Sequence, residues 1–74
     1  MTAKQWIDAY ARRLGTEPPT EEEFAMLLDV AGAAAHASER VAAPVACWLC
    51  ARAGRSPGEA LAIALEVSRE AAGS

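Results

Sequence analysis

The sequence lacks an apolar run of the roughly 18 residues needed to cross a bilayer, and its start, Met-Thr-Ala-Lys-Gln-Trp, lacks the apolar stretch of a secretory leader. Those absences argue against a helical membrane span and make the cytoplasm the expected location. It also lacks any cluster of Lys or Arg: 7 basic residues stand against 10 acidic ones, for a formal net charge of −3. Nucleic acid and anionic membrane are therefore not expected as partners, since both are recognised through a concentrated positive field. Only two cysteines are present, and in a reducing compartment they are read as thiols. No glycine-rich phosphate loop is written anywhere, so the chain is not expected to transfer nucleotides itself. With 74 residues there is room for one domain, spanning 1–74. A domain of this size should bury about 60–65% of its unfolded surface, hold only a few kcal/mol of stability and form no deep pocket. Runs of β-branched residues are missing, whereas alanine fills 19 positions, which favours helix throughout.

What the sequence does contain is helix punctuation. Thr2 with Gln5, Thr20 with Glu23 and Ser56 with Glu59 each place a hydroxyl three residues before Glu or Gln. In this capping box the hydroxyl accepts from the third helical N–H and the carboxylate or amide accepts from the cap's own N–H. Gly15 and Gly54 stand where a left-handed residue closes a helix. Together these signals predict helices over about 3–14, 21–37, 44–53 and 57–71, with a break at residues 38 to 43 because Pro44 disfavours helix at Ala43 yet suits a first turn. Pro18 and Pro19 stiffen the first connector. The expected architecture is an all-α, compact four-helix bundle with antiparallel neighbours and short connectors.

Periodicity assigns the faces. The first helix carries Trp6, Ile7, Tyr10 and Leu14 on one stripe, with an Asp8–Arg12 ion pair expected opposite. The second points Phe24, Leu27, Leu28, Ala31 and Ala35 inward, and the fourth points Leu61, Ala64, Leu65 and Ser68 inward with Ile63 and Val67 widening the face. On the third, Val45, Trp48 and Leu49 form one side while Ala43, Ala46, Cys47 and Cys50 form the other. A helix apolar all round is either central to its bundle or shared with a partner. Gly32 lies inside a helix, at a cost of about 1 kcal/mol relative to alanine, which suggests that another helix approaches closely there.

Three groups carry chemical potential. Cys47-Trp48-Leu49-Cys50 places two thiols on neighbouring helical turns, a spacing that serves zinc, a redox couple or plain packing. A closed zinc site needs four ligands, and only His36 is a soft candidate to join Cys47 and Cys50; the thiols are otherwise small core residues. Asp29 and His36 are seven residues apart on one strip with Gly32, readable as an acid–imidazole pair or, more plainly, as a solvated carboxylate and a histidine bonding a carbonyl at the helix end. The Glu21-Glu22-Glu23 run matches the helix dipole.

The central segment, Leu27-Leu28-Asp29-Val30-Ala31-Gly32-Ala33-Ala34-Ala35-His36-Ala37-Ser38-Glu39-Arg40-Val41-Ala42-Ala43-Pro44-Val45-Ala46-Cys47-Trp48-Leu49, resembles a family of small uncharacterised bacterial helical domains. Members read Leu-Asp-x-Ala, a short Ala-rich stretch, Ala-His, then Arg-x-Ala-Ala-Pro-Leu. They occur alone or as a C-terminal extension of molybdenum cofactor guanylyltransferase, molybdopterin-guanine dinucleotide biosynthesis protein A. The resemblance covers roughly residues 5 to 70, and the matching positions are Asp29, Ala31, His36, Arg40, Ala42, Ala43 and Pro44. Where the family has Thr-Thr before the aromatic, this chain has Ala46-Cys47 before Trp48. The resemblance places the chain near molybdenum cofactor synthesis, and with no catalytic constellation in the sequence the expectation is a non-catalytic accessory domain with no cofactor of its own; helix three and the strip on the second helix make Asp29, Gly32, His36, Arg40 and Trp48 the candidate residues for docking on a protein partner. Self-association through the third helix is an open alternative, as is a metal or thiol site of Cys47, Cys50 and His36.

Overall fold

The computed structural model describes residues 1–73 and contains four helices: α1 Ala3–Leu14, α2 Glu21–Ala37, α3 Ala42–Arg52 and α4 Pro57–Gly73. Ser74, the last residue of the expected domain, lies outside the described residues. All three capping boxes form. Thr2 Oγ1 accepts from Gln5 N–H at 3.1 Å while Thr2 N–H donates to Gln5 Oε1 at 2.8 Å. Thr20 and Glu23 repeat those distances, and Ser56 and Glu59 exchange the same pair of bonds at 3.2 Å. Gly15 and Gly54 are left-handed, at φ 82° and 70°. At each, the next residue's N–H reaches back six positions inclusive, Thr16 to Ala11 O at 3.0 Å and Arg55 to Cys50 O at 3.3 Å, which closes both helices in a Schellman motif.

The bundle is an all-α four-helix arrangement with α2 as its hub, packed along α3 and α4. The α1 helix sits at the N-terminal end of α2, where Lys4 Nζ donates to Glu21 Oε1 at 3.1 Å, and Lys4 and Asp8 share a small crevice with Pro19, Thr20 and Phe24. Between two exposed side chains that ion pair contributes little, about 0–1 kcal/mol. The resulting molecule measures 42 × 24 × 18 Å, longer than the ~25 Å of a 17-residue helix. Its radius of gyration of 13.0 Å exceeds the ~11 Å typical of a globule of this length.

Several boundaries and faces differ from the sequence reading. Helix α3 begins at Ala42, two residues before Pro44, because a proline in the first turn forfeits only an N–H that has no intrahelical acceptor. The break is correspondingly shorter, Ser38 to Val41, and is bridged by Ala42 N–H to Glu39 O and Ala43 N–H to Arg40 O. Helix α4 extends to Gly73 rather than residue 71, and α3 ends at Arg52 rather than 53. On α2 the inward line runs through Leu27, Val30, Ala31 and Ala34, with Val30 3% exposed, whereas Leu28 is 60% exposed. Leu65 of α4 is likewise exposed, though Leu61, Ala64 and Ser68 face inward. The Asp8–Arg12 pair does not form among the described residues, whose ion pairs are Lys4–Glu21 and Arg55–Glu59.

The largest departure concerns burial. The accessible surface is 5677 Å², against about 4,300 Å² for a folded monomer of 7.7 kDa and about 11,200 Å² for its unfolded chain. The chain therefore buries about half of its unfolded surface instead of the expected 60–65%. Trp6, Tyr10 and Leu14, counted from sequence toward the core, are all at least half exposed, because none of the described residues covers that side of α1. Among the described residues, Ala11 and Val30 are the fully buried apolar side chains.

Candidate functional site

Helix α3 divides as its helical wheel predicts, and the structure shows which side faces in. Ala43, Ala46, Cys47 and Cys50 are half-buried toward the bundle, while Val45, Trp48 and Leu49 are each more than half exposed. Small residues inward let α3 approach α2 closely: Cys47 Sγ donates to Leu27 O of α2 at 3.8 Å. Large residues outward leave an apolar ridge with Trp48 near its middle. The Arg52 guanidinium lies 5.0 Å from the Trp48 ring centroid, a cation–π contact one helical turn on. The spacing of Trp48 and Arg52 could have revealed Arg52 in the sequence; it was overlooked because Arg52 also suits the helix C-terminus.

The thiols are placed for packing. Desolvation, reinforced by the neighbouring Cys50, pushes the Cys47 thiol above its ordinary value, which favours the protonated thiol over the nucleophilic thiolate. Cys50 Sγ donates to Arg55 O at 3.8 Å in the turn that follows α3. Among the described residues no three His, Cys, Asp or Glu side chains gather around a common point. Cys47, Cys50 and His36 are therefore not brought together as a site, because His36 is exposed near the end of α2 while the cysteines face inward from α3.

The strip on α2 is open. Asp29, His36 and Arg40 are exposed, and Asp29 and His36 are separated by about 10 Å of helical rise, too far for an acid–imidazole contact. Gly32 does not mark a close helix approach: a Cβ there would meet only the His36 ring, at 4.0 Å. The carbonyl at the helix end is satisfied by Ser38, whose Oγ donates to Ala34 O at 2.7 Å, rather than by His36 as read from sequence. At Gly58, in the first turn of α4, a Cβ would make an ordinary van der Waals contact with Met26 Sδ of α2, at 3.6 Å.

An apolar groove of about 480 Å³, contrary to the expectation of no deep pocket, lies between the C-terminal half of α2, α3 and α4, lined by Val30, Leu49, Cys50, Ile63 and Val67 and floored largely by alanines. Its volume is in the range of small-molecule pockets. It opens because the side chains facing each other across α2, α3 and α4 are mostly methyl groups, which cannot span the distance between helix axes.

Neither the comparison with curated proteins nor that with solved structures returns a match. The family comparison does, over residues 1–74, and the chain belongs to the family described as a domain of unknown function, DUF6457.

Proposed function

We propose that the chain is a non-catalytic interaction domain that docks on a protein partner through the outward ridge of α3, with the Asp29, Gly32, His36 and Arg40 strip as its polar margin. The observation that carries this reading is the orientation of α3: its small side chains face the bundle and Val41, Val45, Trp48 and Leu49 face out, at 52 to 70% exposure. A contiguous apolar ridge of this kind is characteristic of binding surfaces, and tryptophan with a neighbouring arginine is the commonest composition of an interface hot spot. The partner we favour is an enzyme of molybdenum cofactor synthesis, molybdenum cofactor guanylyltransferase; support for it comes from the resemblance of Asp29, Ala31, His36, Arg40, Ala42, Ala43 and Pro44 to domains appended to that enzyme.

Titration of a purified guanylyltransferase with the full chain, followed by calorimetry, tests the reading. Trp48→Ala should weaken binding at least tenfold, the scale of a hot spot, with helicity unchanged because the side chain is exposed. His36→Ala and Arg40→Ala should weaken it less. Gly32→Ala should raise thermal stability, since it removes about 1 kcal/mol of helix cost, while reducing affinity if the strip is contacted. Absence of binding by the native chain would remove the guanylyltransferase, and equal affinity of Trp48→Ala and native chain would remove the α3 ridge.

A further inference from the structure

Two apolar surfaces stay open among the described residues, one a ridge of large side chains and the other a groove lined largely by small ones. One is the α1 stripe, where Trp6, Tyr10 and Leu14 recur every four residues and stand 50 to 62% exposed, with the Trp6 and Tyr10 rings in contact at a centroid distance of 5.0 Å and tilted by 32°. The other is the groove between α2, α3 and α4, whose alanines at positions 34, 46, 60 and 64 form holes without knobs. Within one chain the two surfaces are kept apart. Lys4 ties the first turn of α1 to Glu21, whereas the groove begins at Val30, about 13 Å further along α2.

We infer that the chain is a two-fold homodimer in which α1 of each copy seats its Trp6, Tyr10 and Leu14 stripe in the groove of the other. The area points to a second copy. The accessible surface of 5677 Å² exceeds that of a compact monomer of the same mass by about 1,300 Å². An excess of that size on each of two copies is of the order that permanent homodimers bury in total, above about 2,000 Å², and Trp6, Tyr10, Leu14, Ile63 and Val67 are among the exposed apolar side chains that make it up. A small apolar molecule in the groove would leave the α1 stripe in water. A second copy covers both surfaces at once, and because each copy supplies one stripe and one groove the assembly closes on itself without open ends. Of the α3 ridge only Leu49 lines the groove, while Val41, Val45 and Trp48 lie outside it, so Trp48→Ala and Tyr10→Glu let this inference and the docking reading above fail separately.

Sedimentation equilibrium of the full chain from micromolar to hundreds of micromolar concentration reads the outcome. The expected mass is twice 7.7 kDa. Tyr10→Glu on the stripe and Val67→Arg on the groove wall, both at exposed positions, should each return it to the single-chain value with α-helical circular dichroism retained. A cross-link gives an independent reading. A Tyr10→Cys variant treated with a short bis-maleimide should form a covalent dimer through Cys50 of the second copy, and Tyr10→Cys with Cys50→Ser should lose it. A native mass of one chain at all concentrations overturns the inference, whether the groove is then found to take a fatty acid or to stay empty. So does a dimer that survives both charge variants but dissociates on Trp48→Lys, which would place the contact on α3.

Discussion

Helices α1 and α2 begin with the same device and end in opposite environments. Each opens on a threonine capping box with bond lengths of 2.8 and 3.1 Å. Helix α1 separates its polar and apolar residues cleanly around its axis, while α2 is apolar on nearly every side. The well-separated helix is nevertheless the one left in water: Trp6, Tyr10 and Leu14 are half or more exposed, whereas Val30 of α2 is 3% exposed. An amphipathic pattern states that a face needs cover, not that the same chain supplies it. Helix α2 gains its burial from being flanked by α3 and α4 at once.

Charge insertion breaks this contrast most severely. Val30→Asp places a carboxylate in the most enclosed position of the bundle, with no cation to pair it, at a cost of several kcal/mol. In a chain that buries only about half of its unfolded surface, that loss exceeds the available stability, and cooperative thermal unfolding should vanish by circular dichroism. Leu14→Asp introduces the same charge at a site 62% exposed. Measured at concentrations where the chain is monomeric, it should shift stability by no more than about 0.5 kcal/mol. Comparable losses at both positions would show that α1 belongs to the core after all.

The paired threonines give a smaller and more discriminating test. Thr20→Ala removes the cap of the hub helix and should lower global stability by about 1 kcal/mol, seen as a lower midpoint in urea. Thr2→Ala removes a cap of matching geometry, but α1 is joined to the rest chiefly by the exposed Lys4–Glu21 pair and the crevice around Phe24. Its loss should therefore fray α1 locally, visible as faster amide exchange in residues 3 to 6, and leave the midpoint nearly unmoved. Equal midpoint shifts would mean that the two ends of the molecule unfold as one unit.

The same division explains what could be read without coordinates. Caps and stops at Thr2, Thr20, Ser56, Gly15 and Gly54 were legible because they depend on residues within six positions of each other. The two sides of α3 were legible as well, yet which side faces inward was not, since both are apolar and only the approach of Cys47 to Leu27 decides it. On α2 the inward line settled on Val30 rather than Leu28 because a nearly uniform apolar helix sets no phase of its own; its neighbours do. A glycine inside a helix signals a close helix approach only where a neighbour is near, and at Gly32 a Cβ would meet nothing but the His36 ring of its own helix. The groove was illegible for a related reason: it is made of what alanines fail to fill across three helices. As for the candidate site, sequence favours Trp48 as a core filler over a binding anchor, and its 58% exposure on the outer side of α3 takes it out of the core.

The weakest effect lies at the start of α4 and sharpens the comparison with pH. Glu59 is held below its ordinary carboxylate value first by the backbone N–H of Ser56, then by the Ser56 hydroxyl, with a lesser contribution from Arg55 at 3.6 Å. A carboxylate whose folded value is depressed stabilises the fold above its unfolded value, about 4.3, and that contribution disappears as pH falls through the lower folded value. The thermal midpoint should therefore decline below pH 4.3, and Glu59→Gln should flatten part of that decline while leaving the midpoint above pH 6 slightly lower. The site is fully exposed, so the change should be small and should shrink further in high salt only to the extent that Arg55 contributes. A decline unaffected by Glu59→Gln would assign the acid sensitivity to other carboxylates, and the cap at Ser56 would then act through its hydroxyl alone.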